Sequence, residues 1–196
     1  MNIKVIRDFL PEPAFEEIRQ IILSPNFKWS FTSSVTGDEP EKKNNKLFLL
    51  HHLVYERQAY DATDPMDKQI VQMLIAEGMY YSMFKNYYDV IGKPLPKGQF
   101  FKISKKENLL RIKVNFYPNT TILKEHDYHI DYQEPNTAAL LALNTCDGYT
   151  KIRKTGEKYP SVANTLLLFD SSKDHCSTTT TNALGRFNIN INFLNE

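Results

Sequence analysis

The stretch Tyr128-His129-Ile130-Asp131-Tyr132 determines how the rest of this sequence is interpreted. Side chains two residues apart in a β-strand point to the same side, so a strand here projects His129 and Asp131 into one pocket. His175 follows far downstream and supplies a second imidazole. Two imidazoles and one carboxylate on one face are the donor set of a non-haem Fe(II) site with open coordination positions. The sequence therefore predicts a metal site at His129, Asp131 and His175.

A guanidinium group follows the second histidine a short way along the sequence. Arg186 comes eleven residues after His175 and opens a segment that alternates polar and apolar residues as far as Phe193. A planar guanidinium near a metal suits the far carboxylate of a small diacid, because its fork of N–H groups pairs with both carboxylate oxygens.

The polar face of that segment is unusual for a strand. It carries Asn188, Asn190 and Asn192 in strict alternation with apolar residues. Asparagine is a poor strand former, so the row predicts a polar interior that hydrogen-bonds a small molecule or ordered waters. The alternative is an edge strand whose polar face is in solvent.

Length and periodicity favour one mainly β domain. The 196 residues suit a single domain, with residues 1–100 as a strand-and-helix support and 101–196 as the core that carries the site. Several short strands after a helical front half indicate a sandwich or distorted barrel. The predicted strands cover a short opening segment from Ile3 to Leu10 and then 27–31, 109–117, 138–143, 165–169 and 186–193. Amphipathic helices are predicted from Ala14 and from Asp64-Pro65 to Ile91.

Composition counts against some classes of function. The chain has 24 basic and 23 acidic residues, so no global charge favours nucleic acid or an anionic membrane. The charged segment 37–46 is predicted to be a solvated loop. Cys146 and Cys176 form no spaced framework, and no apolar run approaches the ~18 residues that span a bilayer. A soluble protein of the cytoplasm is expected.

The order His-x-Asp, His and Arg on strand-like segments resembles the Fe(II)- and 2-oxoglutarate-dependent dioxygenases. Within that family the prolyl-4-hydroxylase-like branch, with its small phage-type members, is most similar, over roughly 109–193. The resemblance implies a double-stranded β-helix, or jelly roll, with the N-terminal helices packed on its major sheet. It also implies Fe(II), 2-oxoglutarate and dioxygen as cofactors, with ascorbate as a candidate reductant, and the host cytoplasm as the location if the chain is phage-encoded.

The resemblance assigns further residues to the cosubstrate. Arg186 would hold the far carboxylate, and Tyr117, in Tyr117-Pro118, would hydrogen-bond the cosubstrate. A second tyrosine of the branch would fall near Ala142, so Asn115, or Asn188 and Asn190 of the last strand, are expected to substitute for it.

Two other histidine positions receive different expectations. An odd separation places His126 and Asp131 on opposite faces of a regular strand, so His126 is predicted to lie at the rim. His51-His52 has no spaced partner, so a structural role is expected there.

The substrate is left open by the sequence. By analogy with the branch, it is a prolyl or other side chain of a protein or peptide. The alternatives are an oxygenase that acts on a nucleotide, nucleic acid or small metabolite, and a non-enzymatic metal-binding jelly-roll module. No membrane partner is expected, and the near-neutral charge counts against nucleic acid.

Overall fold

The computed structural model describes residues 3–35, 47–57, 64–75 and 108–194. Ten strands and two helices occur within those ranges. In chain order they are β1 (Lys4–Ile6), α1 (Glu12–Ile22), β2 (Ser30–Thr32), β3 (Leu49–Glu56), α2 (Pro65–Ile75), β4 (Leu109–Pro118), β5 (Asn136–Ala142), β6 (Tyr149–Ile152), β7 (Lys158–Pro160), β8 (Thr165–Asp170), β9 (His175–Cys176) and β10 (Gly185–Leu194).

The strands form two antiparallel sheets. The major sheet has seven strands in the order β1-β8-β5-β10-β4-β3-β2, and the minor sheet has three in the order β7-β6-β9. Isolated bridges from Glu125 to Thr178 and from His129 to His175 add residues 125–129 beside β9. From β4 onward the chain passes repeatedly between the two sheets, which is the path of a double-stranded β-helix. The predicted mainly β jelly roll is confirmed.

The row of asparagines lies inside this jelly roll. β10 is a central strand, hydrogen-bonded to β4 on one side and to β5 on the other. Asn188, Asn190 and Asn192 are buried, and they share the face of β10 that is turned towards the minor sheet. The edge-strand alternative is therefore wrong, and the prediction of a polar interior holds.

The opposite face of β10 supports the fold. Ile189 and Ile191 are fully buried in a cluster with Ile18 of α1 and Ile70 of α2. Each such buried aliphatic side chain contributes about 1.5–3 kcal/mol of transfer free energy. The two helices cover the outer face of the major sheet, as predicted, and leave its inner face to the site.

Helix α1 begins earlier than predicted. It starts at Glu12 rather than Ala14, because Pro13 fits the first turn, where its missing N–H has no partner to lose. Helix α2 is described to Ile75, so its predicted continuation to Ile91 lies outside the described residues, as does the charged segment 37–46. No helix in the described ranges is long and apolar enough to cross a membrane.

The sequence did not predict β3. This strand pairs with β4 and extends the major sheet, but a bulge between Leu53 and Tyr55 interrupts its alternation. The strand predicted at 27–31 is β2, which begins only at Ser30. The division of the single domain into a support of residues 1–100 and a core of 101–196 remains a prediction.

Candidate metal centre and anion pocket

Backbone pairing brings the two predicted histidine ligands together. The amide of each donates to the carbonyl oxygen of the other, His129 to His175 and the reverse, both at 3.0 Å. Their ring centroids are 4.5 Å apart. The amide of Asp131 donates to the carbonyl of Ser171 at 2.9 Å, which fixes the segment two residues further on. As a result, one ligand atom each from His129, Asp131 and His175 lie within 4.8 Å of one another.

Both imidazoles are oriented by their outer nitrogens. Nδ1 of His129 lies 3.4 Å from the carbonyl oxygen of Asp127, and Nδ1 of His175 lies 3.0 Å from that of Lys173. A ring that donates from Nδ1 has its lone pair on Nε2, the usual arrangement of a metal-binding histidine. Burial and the neighbouring His175 lower the pKa of His129 to about 4, so its ring is neutral at pH 7 and able to act as a ligand.

The carboxylate of Asp131 is held at both oxygens. Its Oδ2 accepts hydrogen bonds from Asn190 at 3.0 Å and from Asn192 at 2.8 Å. Its Oδ1 lies 3.9 Å from Nε2 of His129 and 3.2 Å from a guanidinium nitrogen of Arg111. Burial alone would raise the pKa of Asp131. The charge of Arg111, the two histidines and the hydrogen bond from Asn190 together outweigh burial, so the pKa lies below its ordinary value. The group is therefore ionised, with Oδ1 directed at the histidines.

These donors fit a divalent transition metal. Two imidazoles and one carboxylate oxygen, with no fourth protein ligand in the described cluster, form a site that leaves coordination positions open. The outer hydrogen bonds that orient all three groups are also those expected of a metal site.

Arg186 lies at the other end of β10 and is a buried cation. It is 2% exposed and donates to the carbonyl oxygen of Tyr149 at 2.8 Å and to Oγ1 of Thr150 at 2.7 Å. Its Cζ atom lies 5.7 Å from the ring centre of Tyr117. No carboxylate pairs with it in the described part of the chain, and its Nε has no hydrogen-bond partner. Because a buried charge without a counterion is costly, the pocket is suited to an anion.

The other predicted cosubstrate residues lie at three places along the site. Tyr117 is buried opposite Arg186 in the strand register, as expected for a residue of the anion pocket. Asn115 donates to Oδ1 of Asn188 at 3.0 Å, midway between the two ends of the site. Asn190 donates to Asp131 and so contacts the metal end, and its contact with the cosubstrate stays a prediction.

Comparison with solved structures places this arrangement in a known fold. No protein-family model and no curated protein matches the sequence. The chain is similar to a 2-oxoglutarate–Fe(II) oxygenase family oxidoreductase from Burkholderia pseudomallei, with 10% identity, a TM-score of 0.65, and 97% of this chain and 84% of that one covered. A prolyl hydroxylase from Trichoplax adhaerens, in complex with a hypoxia inducible factor peptide fragment, matches at 15% identity and a TM-score of 0.53 over 98% and 83%. The non-haem α-ketoglutarate-dependent epimerase of nogalamycin biosynthesis matches at 10% identity and a TM-score of 0.55 over 98% and 76%.

The chain has the fold of these oxygenases. The predicted resemblance is thereby confirmed at the level of the fold, over nearly the whole chain rather than 109–193 alone. In this oxygenase fold, the minor sheet and the segment beside it carry the triad, while the major sheet carries Arg186.

The interior of the oxygenase fold has more hydrogen-bonding groups than partners. Eight buried side-chain polar atoms lack a partner among the described residues. Two of them, on Arg19 and Ser24, belong to the helical support. The other six are on Arg111, His126, Thr165, Arg186, Asn188 and Asn190, on the jelly-roll strands and the segment before His129. Buried polar atoms are nearly always paired in native proteins, so these six atoms indicate that the interior binds a polar ligand or ordered water.

A cavity of 760 Å³ opens beside Arg186. Leu140, Ala142 and Leu167 form an apolar wall, and Thr150, Arg186 and Asn188 form a polar end. None of the three triad residues lines it, so the cavity extends from the arginine away from the metal end. Its volume lies within the range of about 300–1,000 Å³ typical of small-molecule pockets. Ala142, where the branch would have a tyrosine, leaves part of this space unfilled.

His126 is not the rim residue that the sequence predicts. It is 3% exposed, and its ring packs 5.1 Å from that of Tyr117. The prediction assumed a regular strand. In the structure, the pairing of this segment with the chain beside it shifts by one residue along its length. The paired residue numbers sum to 303 at Glu125–Thr178 (125 + 178) and to 304 at His129–His175 (129 + 175). The one extra residue allows His126 and His129 both to enter the interior.

His52 has the structural role expected of it. Its Nε2 lies 2.6 Å from Oδ1 of Asp67 and its Nδ1 lies 2.7 Å from the carbonyl oxygen of Lys28. Arg111 belongs to the site but was not predicted as a site residue, and Asn192 was predicted only as part of the asparagine row. The alternation of 109–117 was the signal available for Arg111, since it places that residue on the same strand face as Asn115 and Tyr117.

Proposed function

We propose that this chain is an Fe(II)- and 2-oxoglutarate-dependent dioxygenase. One observation carries the proposal: a histidine–aspartate–histidine triad and a buried arginine without a counterion occupy the interior of one jelly roll. A metal-binding module without enzymatic activity would need the triad but would not need a buried cation beside it. The near-zero net charge argues against a nucleic-acid substrate.

Each part of the site then has a task. Nε2 of His129, Nε2 of His175 and Oδ1 of Asp131 would hold Fe(II), which supplies the oxidising chemistry together with 2-oxoglutarate and dioxygen. Asn190 and Asn192 fix the aspartate so that one oxygen faces the metal. Arg186 binds the distal carboxylate of 2-oxoglutarate, and the packed Tyr117 ring keeps water from that contact. The other end of the cosubstrate is thereby directed towards the triad.

For the substrate, we propose a prolyl or other side chain of a peptide or protein. The support is the similarity to a prolyl hydroxylase that was solved with a peptide. The similar epimerase shows that the same fold also serves other reactions, so the substrate must be established directly. The screen measures 2-oxoglutarate consumption with proline-containing peptides, with nucleotides and with small metabolites. If nucleotides or metabolites stimulate 2-oxoglutarate consumption and peptides do not, the proposed peptide or protein substrate is wrong.

The proposed function predicts synergy between metal and cosubstrate. Ligands that bind only the folded protein stabilise it by RT ln(1 + [L]/Kd), about 2.7 kcal/mol at a hundredfold excess over Kd. If 2-oxoglutarate chelates the metal, Mn(II) and 2-oxoglutarate together should raise the melting temperature by more than the sum of their separate shifts. Thermal unfolding with each ligand alone and with both tests this. Additive shifts, or none, would count against a shared site.

Gly148 predicts a second, more local effect. A Cβ atom at this position would lie 2.9 Å from Cδ of Arg186 and 2.8 Å from the carbonyl oxygen of Thr179. Gly148→Ala must therefore displace the arginine or the backbone, at a cost of about 1–3 kcal/mol. We expect a lower melting temperature together with weaker 2-oxoglutarate binding.

Gly156→Ala is the matched control for that variant. Gly156 has φ +71° and open space around it, so alanine there strains the backbone without touching the site. It should lower stability and leave 2-oxoglutarate affinity unchanged. The measurement is a titration of metal-loaded protein with 2-oxoglutarate. Equal 2-oxoglutarate affinity in the two variants would mean that Gly148 does not shape the anion pocket.

A further inference from the structure

His126 is a buried histidine that the proposed roles do not use. Its side chain is 3% exposed, and Nδ1 lies 2.8 Å from Oγ of Ser177. The backbone amide of His126 donates to the carbonyl oxygen of Ser177 at 2.9 Å, which fixes the position of the ring. Nε2 is buried and has no hydrogen-bond partner among the described residues. An orphaned ring nitrogen in a folded interior requires an explanation.

The surroundings of that nitrogen are those of the anion pocket. His126 packs against Tyr117, with ring centroids 5.1 Å apart, and Cζ of Arg186 lies 5.7 Å from the centre of the same Tyr117 ring. Burial and the nearby charge of Arg186 lower the pKa of His126 to about 3, so the ring is neutral. A neutral imidazole has one N–H, and its location decides what the residue can bind.

The contact with Ser177 is compatible with either tautomer, because a serine hydroxyl can donate to Nδ1 or accept from it. When the serine donates to Nδ1, the ring proton resides on Nε2. In that form Nε2–H and the guanidinium of Arg186 both present donors, which matches the acceptor-only oxygens of a carboxylate. The opposite tautomer would present a lone pair beside the cation, and an anion placed there would be repelled by it.

We propose that His126 donates a hydrogen bond from Nε2 to the distal carboxylate of the diacid that Arg186 binds. This inference rests on the proposed function and adds a cosubstrate-binding residue to it. Arg186 supplies the charge, and His126 supplies a neutral donor from the segment that runs beside β9. Together they distinguish a diacid from a 2-oxo acid that ends in a methyl group.

The test compares two acids that differ only at the distal end. 2-Oxoglutarate carries the distal carboxylate, and 2-oxopentanoate has a methyl group in its place. Each is titrated anaerobically into Fe(II)-loaded protein, following the metal-to-ligand charge-transfer band. His126→Leu removes the donor and should weaken 2-oxoglutarate binding about ten- to a hundredfold, as expected for a hydrogen bond to a charged group. Binding of 2-oxopentanoate should not change, and His126→Gln, which retains an N–H donor, should recover part of the loss.

Other results would overturn the inference. Unchanged 2-oxoglutarate affinity in His126→Leu, or an equal loss for both acids, would assign His126 a purely structural role. His52→Leu is the control for loss of a packed histidine away from the pocket, and its affinity for both acids should match the wild type. If His126→Leu does not fold, Ser177→Ala tests the same point, because it frees the ring to reorient and should weaken only 2-oxoglutarate. No band in the wild-type protein would instead reject the proposed function itself.

Discussion

Asp131→Asn is expected to lose metal binding almost completely. The substitution keeps the shape of the side chain but removes the only negative charge of the triad. It also places an N–H group where the metal requires a lone pair, or turns one towards Asn190 and Asn192, which themselves donate to this position. Loss of an outer hydrogen-bond partner alone typically costs about 10–100-fold in metal affinity, and loss of a charged ligand should exceed that.

The measurement is Mn(II) binding to the purified variant, followed by the signal of the free ion. Circular dichroism should show a folded protein, because neither shape nor core packing changes. Asp174→Asn is the matched control, since this aspartate lies next to His175 in the sequence but pairs with Arg153 at the surface. An exposed pair contributes at most about 1 kcal/mol, so the control should bind metal like the wild type. Retained affinity in Asp131→Asn would remove Asp131 from the metal site.

Arg186→Met should weaken cosubstrate binding without lowering the stability of the protein. A hydrogen bond to a charged group contributes about 1.5–3 kcal/mol, so 2-oxoglutarate affinity should fall on the order of ten- to a hundredfold. Stability without ligand should hold or rise, because replacing a buried ionic group with an apolar one of similar volume is often neutral or stabilising. Arg186→Lys should recover only part of the affinity, since an ammonium cannot reproduce the planar fork.

Two measurements on the same variant decide the point. Urea unfolding without ligand gives the change in stability, and titration of metal-loaded protein with 2-oxoglutarate gives the change in affinity. Metal affinity should be unaffected, because Arg186 lies at the far end of β10 from the residues that hold Asp131. An Arg186→Met protein with wild-type 2-oxoglutarate affinity would mean that another cation, such as Lys113 or Arg111, anchors the diacid.

The parts of the site that could be predicted from the sequence depend on regular alternation. His129 and Asp131 are two residues apart, and β10 alternates without interruption, so the shared face of Arg186 and the asparagines follows from strand geometry. The interior position of those asparagines was also predictable, because their strand propensity is too poor for a row of them to arise without a use.

The parts that could not be predicted depend on irregular backbone. The extra residue between Glu125 and His129 reverses the side on which His126 lies, and no residue type in the segment signals it. The bulge in β3 similarly conceals that strand from a search for period two. Pairing of Asn190 with Asp131 depends on how deeply the neighbouring segment enters the jelly roll, which local sequence does not encode.

The spacing between the two ends of the site is a property of a single strand. β10 carries Arg186 near its start and the two asparagines that clamp Asp131 further along. Four residues separate Arg186 from Asn190, on the order of 13 Å at ~3.3 Å per residue. An extended strand that is hydrogen-bonded on both sides cannot lengthen. Movement of the two sheets relative to each other therefore changes the width of the interior but not this distance. Selection among diacids by chain length is therefore set by the backbone. Substitutions in the pocket walls should change affinity for short and long diacids together, whereas removal of one residue pair from β10 would change which length is preferred.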